Sequence, residues 1–341
     1  MKIRYLGWLE TDNLGDIALY QSIKELFEPY ALHASTADPD AVMIGGGTLL
    51  FRSTFLDDFT TAIETSEQSF VFGAGVAHPR YVEAFRPALW RTLLNECFYV
   101  GVRGPWSFQL LRNHGFSGPV EVIGDPALLV QPEPTGERDP NGRSIVINIC
   151  NPRRARSWGF DNETVRTAVV EAARQLIQSD WSLTFVSFES RNDRYIQSAI
   201  SEIRSAQPIE FVAGYCSLKR TMDILRNAHM VIGEKLHSIV LAAAAGAPFI
   251  SLAYQPKCCD FAISVGQEEF LLPLERLTAS HIISKVERIE DNYAELNRRL
   301  DAQVALYRQK LHQAASTVRE RLRTAGRKTE RGLPAAAGKR I

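Results

Sequence analysis

The run Val231-Ile-Gly-Glu-Lys-Leu-His-Ser-Ile-Val240 decides how the chain is read. The strand-like stretch His229-Met-Val-Ile232 enters Gly233, and Glu234, Lys235, His237 and Ser238 follow as a polar loop. Ile239 to Ala245 is then a small-residue helix, closed by Gly246 and Pro248. Strand, tight loop, helix is the repeating unit of an α/β sheet, and ligands bind in the loops after the strands' carboxyl ends. Lys235 and His237 stand one residue apart at the helix start, where the dipole and free N–H groups favour anions. A fixed cation, a titratable imidazole and a helix amino end suit an anionic substrate that must also exchange a proton. The same residues also describe a solvated lysine and a helix-capping histidine, since short motifs recur by chance.

Working outward, the same unit recurs. Ile3 to Trp8 is a strand, Thr11-Asp-Asn-Leu-Gly-Asp16 a polar turn, and the apolar residues from Ile17 recur at helical spacing. Asp16 is placed to cap that helix, and Asn13 and Asp16 are candidates for binding hydroxyls in a cleft. Ala41 to Ile44 is a buried strand followed by Gly45-Gly46-Gly47-Thr48, and Phe70 to Phe72 another, followed by Gly73-Ala-Gly75. Neither glycine run is a dinucleotide fingerprint, and no P-loop is present. Both read as tight turns lining a cleft. Cys97 to Val102 is a strand ending at Arg103, and Pro105 opens the next helix. Arg103 is thus placed either to hold a phosphate or carboxylate bidentately or to pair structurally with a local acid. Asp125, held extended before Pro126, reads as a turn residue or a cleft residue, with the turn favoured.

Gln131 to Arg143, rich in proline, glycine and charge, is the expected linker (131–143). After it, strands and helices alternate again through Leu252, with Ala253-Tyr-Gln-Pro-Lys257 read as a loop. Alternation of this kind argues parallel sheets. The expected architecture is α/β: two Rossmann-like doubly wound lobes, 1–130 and 144–275, facing a cleft. Charged helices follow over 276–323, with a frayed tail over 324–341.

Composition bounds the function. The 341 residues, with 45% hydrophobic and 23% charged residues, are ordinary for a globular protein. A formal net charge of +0 gives no global pull towards nucleic acid. No apolar run approaches the ~18 residues of a membrane span. The amino terminus enters a strand without a signal-peptide pattern, so a cytoplasmic protein is expected. Five cysteines without a CxxC pair argue against a disulfide framework or zinc, and no metal site is expected. Cys258 and Cys259 are read as buried thiols. The basic run Arg153-Arg154-Ala-Arg156 is either a solvated loop or a contact for a lipid diphosphate or an anionic membrane face.

Several strings, taken in order, resemble the polysaccharide pyruvyl transferase family. They are Asn13-Leu-Gly-Asp16, Met43-Ile-Gly-Gly-Gly-Thr48, Val71-Phe-Gly-Ala-Gly75, Val102-Arg103 with Ser107, Val122-Ile-Gly-Asp-Pro-Ala127, and Glu234-Lys-Leu-His-Ser238 with Ala245-Gly-Ala-Pro248. They span roughly residues 1 to 260. The resemblance implies the two-lobe architecture of B-type glycosyltransferases. It also implies transfer of pyruvate from phosphoenolpyruvate to two hydroxyls of a sugar, giving a cyclic ketal and phosphate. Phosphoenolpyruvate is then a co-substrate, and no cofactor is expected. Where many members of the family carry Arg before Leu-His, this chain has Lys235, a point charge and not a fork.

On that reading His237 is the general acid/base, because an imidazole titrates near working pH. Arg103, Lys235, Leu236 and Ser238 hold the donor. Asn13, Asp16, Gly46 and Gly47 hold the sugar, which is polymeric, lipid-linked or free. Two other readings fit the two-lobe pattern: a glycosyltransferase using a nucleotide sugar, and a non-catalytic sugar- or phosphate-binding protein. Fold alone does not choose among them.

Overall fold

The computed structural model describes all residues except 37, 38, 65, 67, 83, 134–141, 215 and 332–341, and gives backbone alone for 325–331. Most of the expected linker and the last ten residues of the expected tail therefore lie outside the described residues.

Short, uniformly apolar strands dictate sheets covered on both faces. β1 (Lys2–Leu6), β2 (Ala31–His33), β3 (Ala41–Ile44), β4 (Gly47–Leu50), β5 (Ser69–Val76), β6 (Tyr99–Val102) and β7 (Glu121–Val122) form the first sheet. Its order is β2-β1-β3-β5-β6-β7, with β4 beside the far half of β5. β8 (Ser144–Asn148), β9 (Ser182–Val186), β10 (Glu210–Val212), β11 (Met230–Gly233), β12 (Phe249–Ala253) and β13 (Leu271–Pro273) form the second, in the order β10-β9-β8-β11-β12-β13. Every ladder in both sheets is parallel. In β3 and β11 all four residues are buried.

The helices that cover the sheets are α1 (Leu14–Leu26), α2 (Leu56–Glu64), α3 (Pro87–Asn95) and α4 (Pro105–Asn113) in the first lobe. In the second they are α5 (Ala155–Trp158), α6 (Asn162–Gln178), α7 (Asp193–Ile203), α8 (Leu218–Asn227), α9 (Leu236–Ala244) and α10 (Pro256–Ser264). α11 (Ala279–Asp291) and α12 (Tyr293–Arg331) end the chain. Among the described residues no helix is long and apolar enough to cross a membrane.

Several local expectations need correction. Asn13, not Asp16, caps α1: its Oδ1 accepts the Gly15 N–H at 3.0 Å, which leaves Asp16 in the first turn. Gly73-Ala-Gly75 is strand, not turn. Gly73, at φ +71°, shifts the register against β6, and pairing then resumes at Ala74. The basic run is partly helical, since α5 begins at Ala155. The expected tail remains helical as far as Arg331. Cys258 is fully buried as expected, but Cys259 is only half-buried.

The lobes share one core at their back. Ile3 and Met43 of the first sheet, Val146 and Val231 of the second, and buried residues of α1, α9 and α12 belong to a single apolar cluster. α12 contributes Leu300, Val304, Leu311 and Val318, the 3–4 spacing of one helical face. Polar contacts finish the joint. Arg308 donates from Nε to Leu128 O (2.7 Å) and from a terminal nitrogen to Ala244 O (2.8 Å), one carbonyl in each lobe. Leu14 N–H donates to Phe188 O at 3.0 Å. Gly104 gives α4 no side-chain cap, and Asp260 of α10 supplies one from the other lobe. It accepts Trp106 N–H at 2.8 Å and Ser107 Oγ–H at 3.1 Å.

Candidate functional site

Each sheet reverses its winding once. In the first, β1 feeds outward to β2 while β3 starts the other half; in the second, β8 and β11 do the same. The carboxyl ends at such reversals are where open α/β sheets leave a crevice. Here the two crevices face each other. Two adjoining chambers of about 480 and 470 Å³ fill the gap and share Asn13, Thr48, Arg52, Arg191, Lys235, Tyr254 and Lys257.

The inner chamber is lined by Asn13, Asp16, Gly47, Arg103, Lys235, Leu236 and His237, seven of the nine residues singled out in the sequence. The other two do not reach it. Ser238 is fully buried, and its hydroxyl donates back to Lys235 O at 2.6 Å, closing the first turn of α9. Gly46 is buried under α1, where an added Cβ would lie 2.5 Å from Leu19 Cδ2. Its lack of a side chain makes room for Leu19 of α1.

At the floor of this chamber the structure assembles a carboxylate between two cationic or potentially cationic groups. Asp125 Oδ2 lies 3.7 Å from an Arg103 terminal nitrogen and 3.7 Å from His237 Nε2. Asp125 Oδ1 caps the turn Pro126–Leu129 by accepting Ala127 N–H at 3.0 Å. So both readings of Asp125 apply: one oxygen holds the backbone and the other lies against Arg103 and His237. Burial raises the Asp125 carboxyl, and Arg103 pulls it part of the way back. The other terminal nitrogen of Arg103 donates to Thr48 Oγ1 at 3.3 Å. Nε and one terminal nitrogen of Arg103 have no hydrogen-bond partner, and neither does His237 Nε2.

Two glycines make this approach possible. A Cβ on Gly15 would lie 2.0 Å from His237 Nδ1, and one on Gly75 would lie 2.5 Å from an Arg103 terminal nitrogen. Only a residue without a side chain lets α1 and β5 come so close.

Lys235 is held from both ends. Its N–H donates to Asn148 Oδ1 at 3.1 Å, and its ammonium binds Glu189, which also pairs with Arg191 Nε at 2.9 Å. Beneath it, buried Glu234 accepts Cys150 N–H at 2.8 Å, and burial pushes its carboxyl up to about 7. Burial, then Arg103, Lys257 and Lys235, hold the His237 imidazole well below its ordinary value. The lowered value favours the neutral imidazole. Burial also raises Asp16, to about 6.

The outer chamber adds His78, Tyr81, Arg154 and Trp158 to the shared Arg52 and Arg191. Arg154 is the member of the basic run that reaches it; Arg156 lies outside and pairs with Asp161 at 3.4 Å. Sequence reasoning missed Thr48, Glu189, Tyr254 and Lys257. Pro256 was a usable signal for the last two: proline suits a helix's first position, so α10, and with it another strand–loop–helix unit, was legible.

Two parallel α/β lobes about a cleft are the architecture of B-type glycosyltransferases and of sugar-nucleotide epimerases. A putative UDP-N-acetylglucosamine 2-epimerase from Listeria monocytogenes superposes with a TM-score of 0.60 over 100% of this chain and 99% of its own, at 14% identity. The UDP-GlcNAc 2-epimerase of Neisseria meningitidis, solved with UDP-GlcNAc, does so with a TM-score of 0.59 over 95% and 100%, at 12% identity. Such identities speak for the fold alone. The sequence is more specific. Residues 13–256 match the model of the polysaccharide pyruvyl transferase family, and the chain belongs to that family. It is also 29% identical over 77 residues to the amylovoran biosynthesis protein AmsJ of Erwinia amylovora, a match covering 23% of this chain and 19% of that protein.

Proposed function

We propose that the protein transfers pyruvate from phosphoenolpyruvate onto two hydroxyls of a sugar in a polysaccharide or its precursor, forming a cyclic ketal and releasing phosphate. The observation that carries this reading is the cluster of Arg103, Asp125 and His237 beside Lys235, on the floor of an interlobe chamber, within a chain of this family. Arg103 takes the donor's carboxylate, for which its planar fork is suited. Lys235 exchanges Glu189 for the donor's negative charge. Asn13 and Asp16, at the start of α1, take sugar hydroxyls.

The neutral imidazole of His237 acts first as a base. It removes the proton of the first sugar hydroxyl as that oxygen attacks C2 of phosphoenolpyruvate. The imidazolium so formed is stabilised by Asp125 and passes the proton to the methylene carbon, which becomes the methyl group. The C2–O bond to phosphate then breaks, with its electron pair leaving on the phosphate oxygen. The second hydroxyl attacks C2, and its proton leaves with the phosphate. Atoms and charge balance without a redox step.

The test is to incubate the protein with phosphoenolpyruvate and a panel of glycosides and lipid-linked oligosaccharides, and to measure released phosphate and the mass of the acceptor. Phosphate release coupled to an acceptor gain of one pyruvyl ketal is expected. Release of a nucleotide from a nucleotide sugar, with phosphoenolpyruvate inert, would replace this reading by glycosyl transfer. The work of such an enzyme lies in exopolysaccharide or cell-envelope assembly, on the cytoplasmic side, with Arg154 at the rim for an anionic carrier.

A further inference from the structure

Four rings in the outer chamber have no part in the scheme above. His78 and Tyr81 come from the turn after β5 in the first lobe. Trp158 ends α5, and Tyr254 directly follows β12, both in the second lobe. All four line the chamber. Ring centroids are 5.6 Å apart for His78 and Tyr81, 5.8 Å for Tyr81 and Trp158, and 6.0 Å for Trp158 and Tyr254. Tyr254 also lines the inner chamber, so the strip runs from there across the gap to the other lobe.

Trp158 stands in the middle of this strip and is fixed from the opposite lobe. A terminal nitrogen of Arg80 donates to Trp158 O at 2.7 Å. Gly159, at φ +103°, ends α5 and leaves that guanidinium room, since an added Cβ would lie 2.5 Å from it. The indole ring is only half-buried, yet its Nε1 is buried with no hydrogen-bond partner. A tryptophan kept for packing normally has that N–H paired. Here the N–H goes unpaired while the ring lines a chamber, which argues for binding and not for the core.

A sugar ring has apolar C–H faces and hydroxyl edges. A flat aromatic wall matches the faces, and side-chain amides, which both donate and accept, match the edges. The outer chamber offers both, because the amides of Asn13, Asn151 and Gln255 line it with the strip. Ketal formation uses two hydroxyls on one edge of the acceptor ring, and that edge must reach the inner chamber. We infer that Trp158 is the stacking platform for the acceptor: the sugar lays a C–H face on the indole, between Tyr81 and Tyr254, and this contact sets which edge meets His237. That the bound sugar is the acceptor rests on the pyruvyl-transfer reading; the affinity of the strip for a pyranose does not.

Saturation-transfer NMR on the full chain, with methyl β-glucoside, methyl β-galactoside and methyl α-mannoside as probes, tests the assignment. Ring-proton transfer to at least one of them is expected in the wild type and in Trp158→Phe, and its loss in Trp158→Ala. With an acceptor that supports phosphate release, Trp158→Ala should raise the acceptor KM about tenfold, the scale of a good aromatic contact, and leave the KM for phosphoenolpyruvate unchanged. Transfer that is absent in the wild type, or undiminished in a folded alanine variant, overturns the proposal. A second measurement decides the matter if that variant does not fold. Of the five indole N–H signals of the wild type, the one missing in Trp158→Phe must shift when a glycoside is added, and an unmoved signal overturns the proposal. UDP that shifts the same signal at lower concentration than any glycoside would assign the strip to a nucleobase and likewise overturn it. Trp158-dependent glycoside binding without phosphate release from phosphoenolpyruvate would sink the pyruvyl-transfer reading and leave this platform standing.

Discussion

The cleft and the seam behind it join the same two lobes by opposite means. Along the seam apolar side chains from both sheets interlock, and Arg308 fills a carbonyl on each side. In the cleft, polar atoms of Arg103, Asp125 and His237 are buried and lack hydrogen-bond partners. Buried polar groups are normally paired, and leaving them unpaired costs stability. The seam thus gathers stabilising contacts, while these three cleft residues keep buried polar atoms unmet. That division is expected of a protein whose cleft completes its bonding with a ligand.

If the division is real, substitutions on the two sides should fail in different ways. The largest effect is expected for His237→Ala: phosphate release from phosphoenolpyruvate should fall by about 10²–10⁴-fold, the usual contribution of a general acid–base. Its melting temperature should stay close to the parent's. Full turnover in that variant would remove His237 from the chemistry. Gly15→Ala comes next, since its methyl would overlap the imidazole. A displacement near 1 Å costs about 10²-fold in rate, so turnover should drop while phosphate affinity, measured by calorimetry, is kept. Equal losses in both would mean that the whole cleft has moved.

On the seam, Arg308→Ala should lower stability by about 2 kcal/mol, as two charge-assisted hydrogen bonds are lost from a partly buried site. Denaturant unfolding measures this, and turnover per folded molecule should be unchanged. A variant as stable as the parent, or one folded but inactive, would erase the contrast between the two sides. The smallest effect is expected at Asp16. Its carboxyl is raised by burial to about 6, so the protonated form stabilises the fold. That stabilisation is fully present below the unfolded value near 4 and is lost as pH rises through about 6. Asp16→Asn should therefore gain roughly 1 kcal/mol at pH 7.5, after solvent screening, and nothing at pH 4. A gain that ignores pH would assign it to packing.

The sequence shows the parts of this arrangement that repeat locally. Alternating strands and helices, Arg103 after β6 and the Lys235–His237 pair before α9 all follow from order and spacing. What it hides is decided across the lobes. Ser238 looks as available as His237, yet one step along the helix turns its hydroxyl back on the backbone. Gly46 and Gly15 both read as loop glycines. One makes room for Leu19 and the other for the site's imidazole, depending on what arrives from elsewhere in the chain. Asp125 shows its turn-capping oxygen in the sequence. Its second oxygen gains meaning only when a residue more than a hundred positions later is brought against it.

Asp260 has a consequence for engineering. It terminates α4 from the opposite half of the molecule, and Leu14 leans on Phe188 in the same manner. The first half therefore does not complete its own helices. A chimera that paired it with a foreign counterpart would strip it of the ends it borrows. Altering the sugar preference by recombination would call for grafting individual rim loops, with the borrowed ends kept as a matched set.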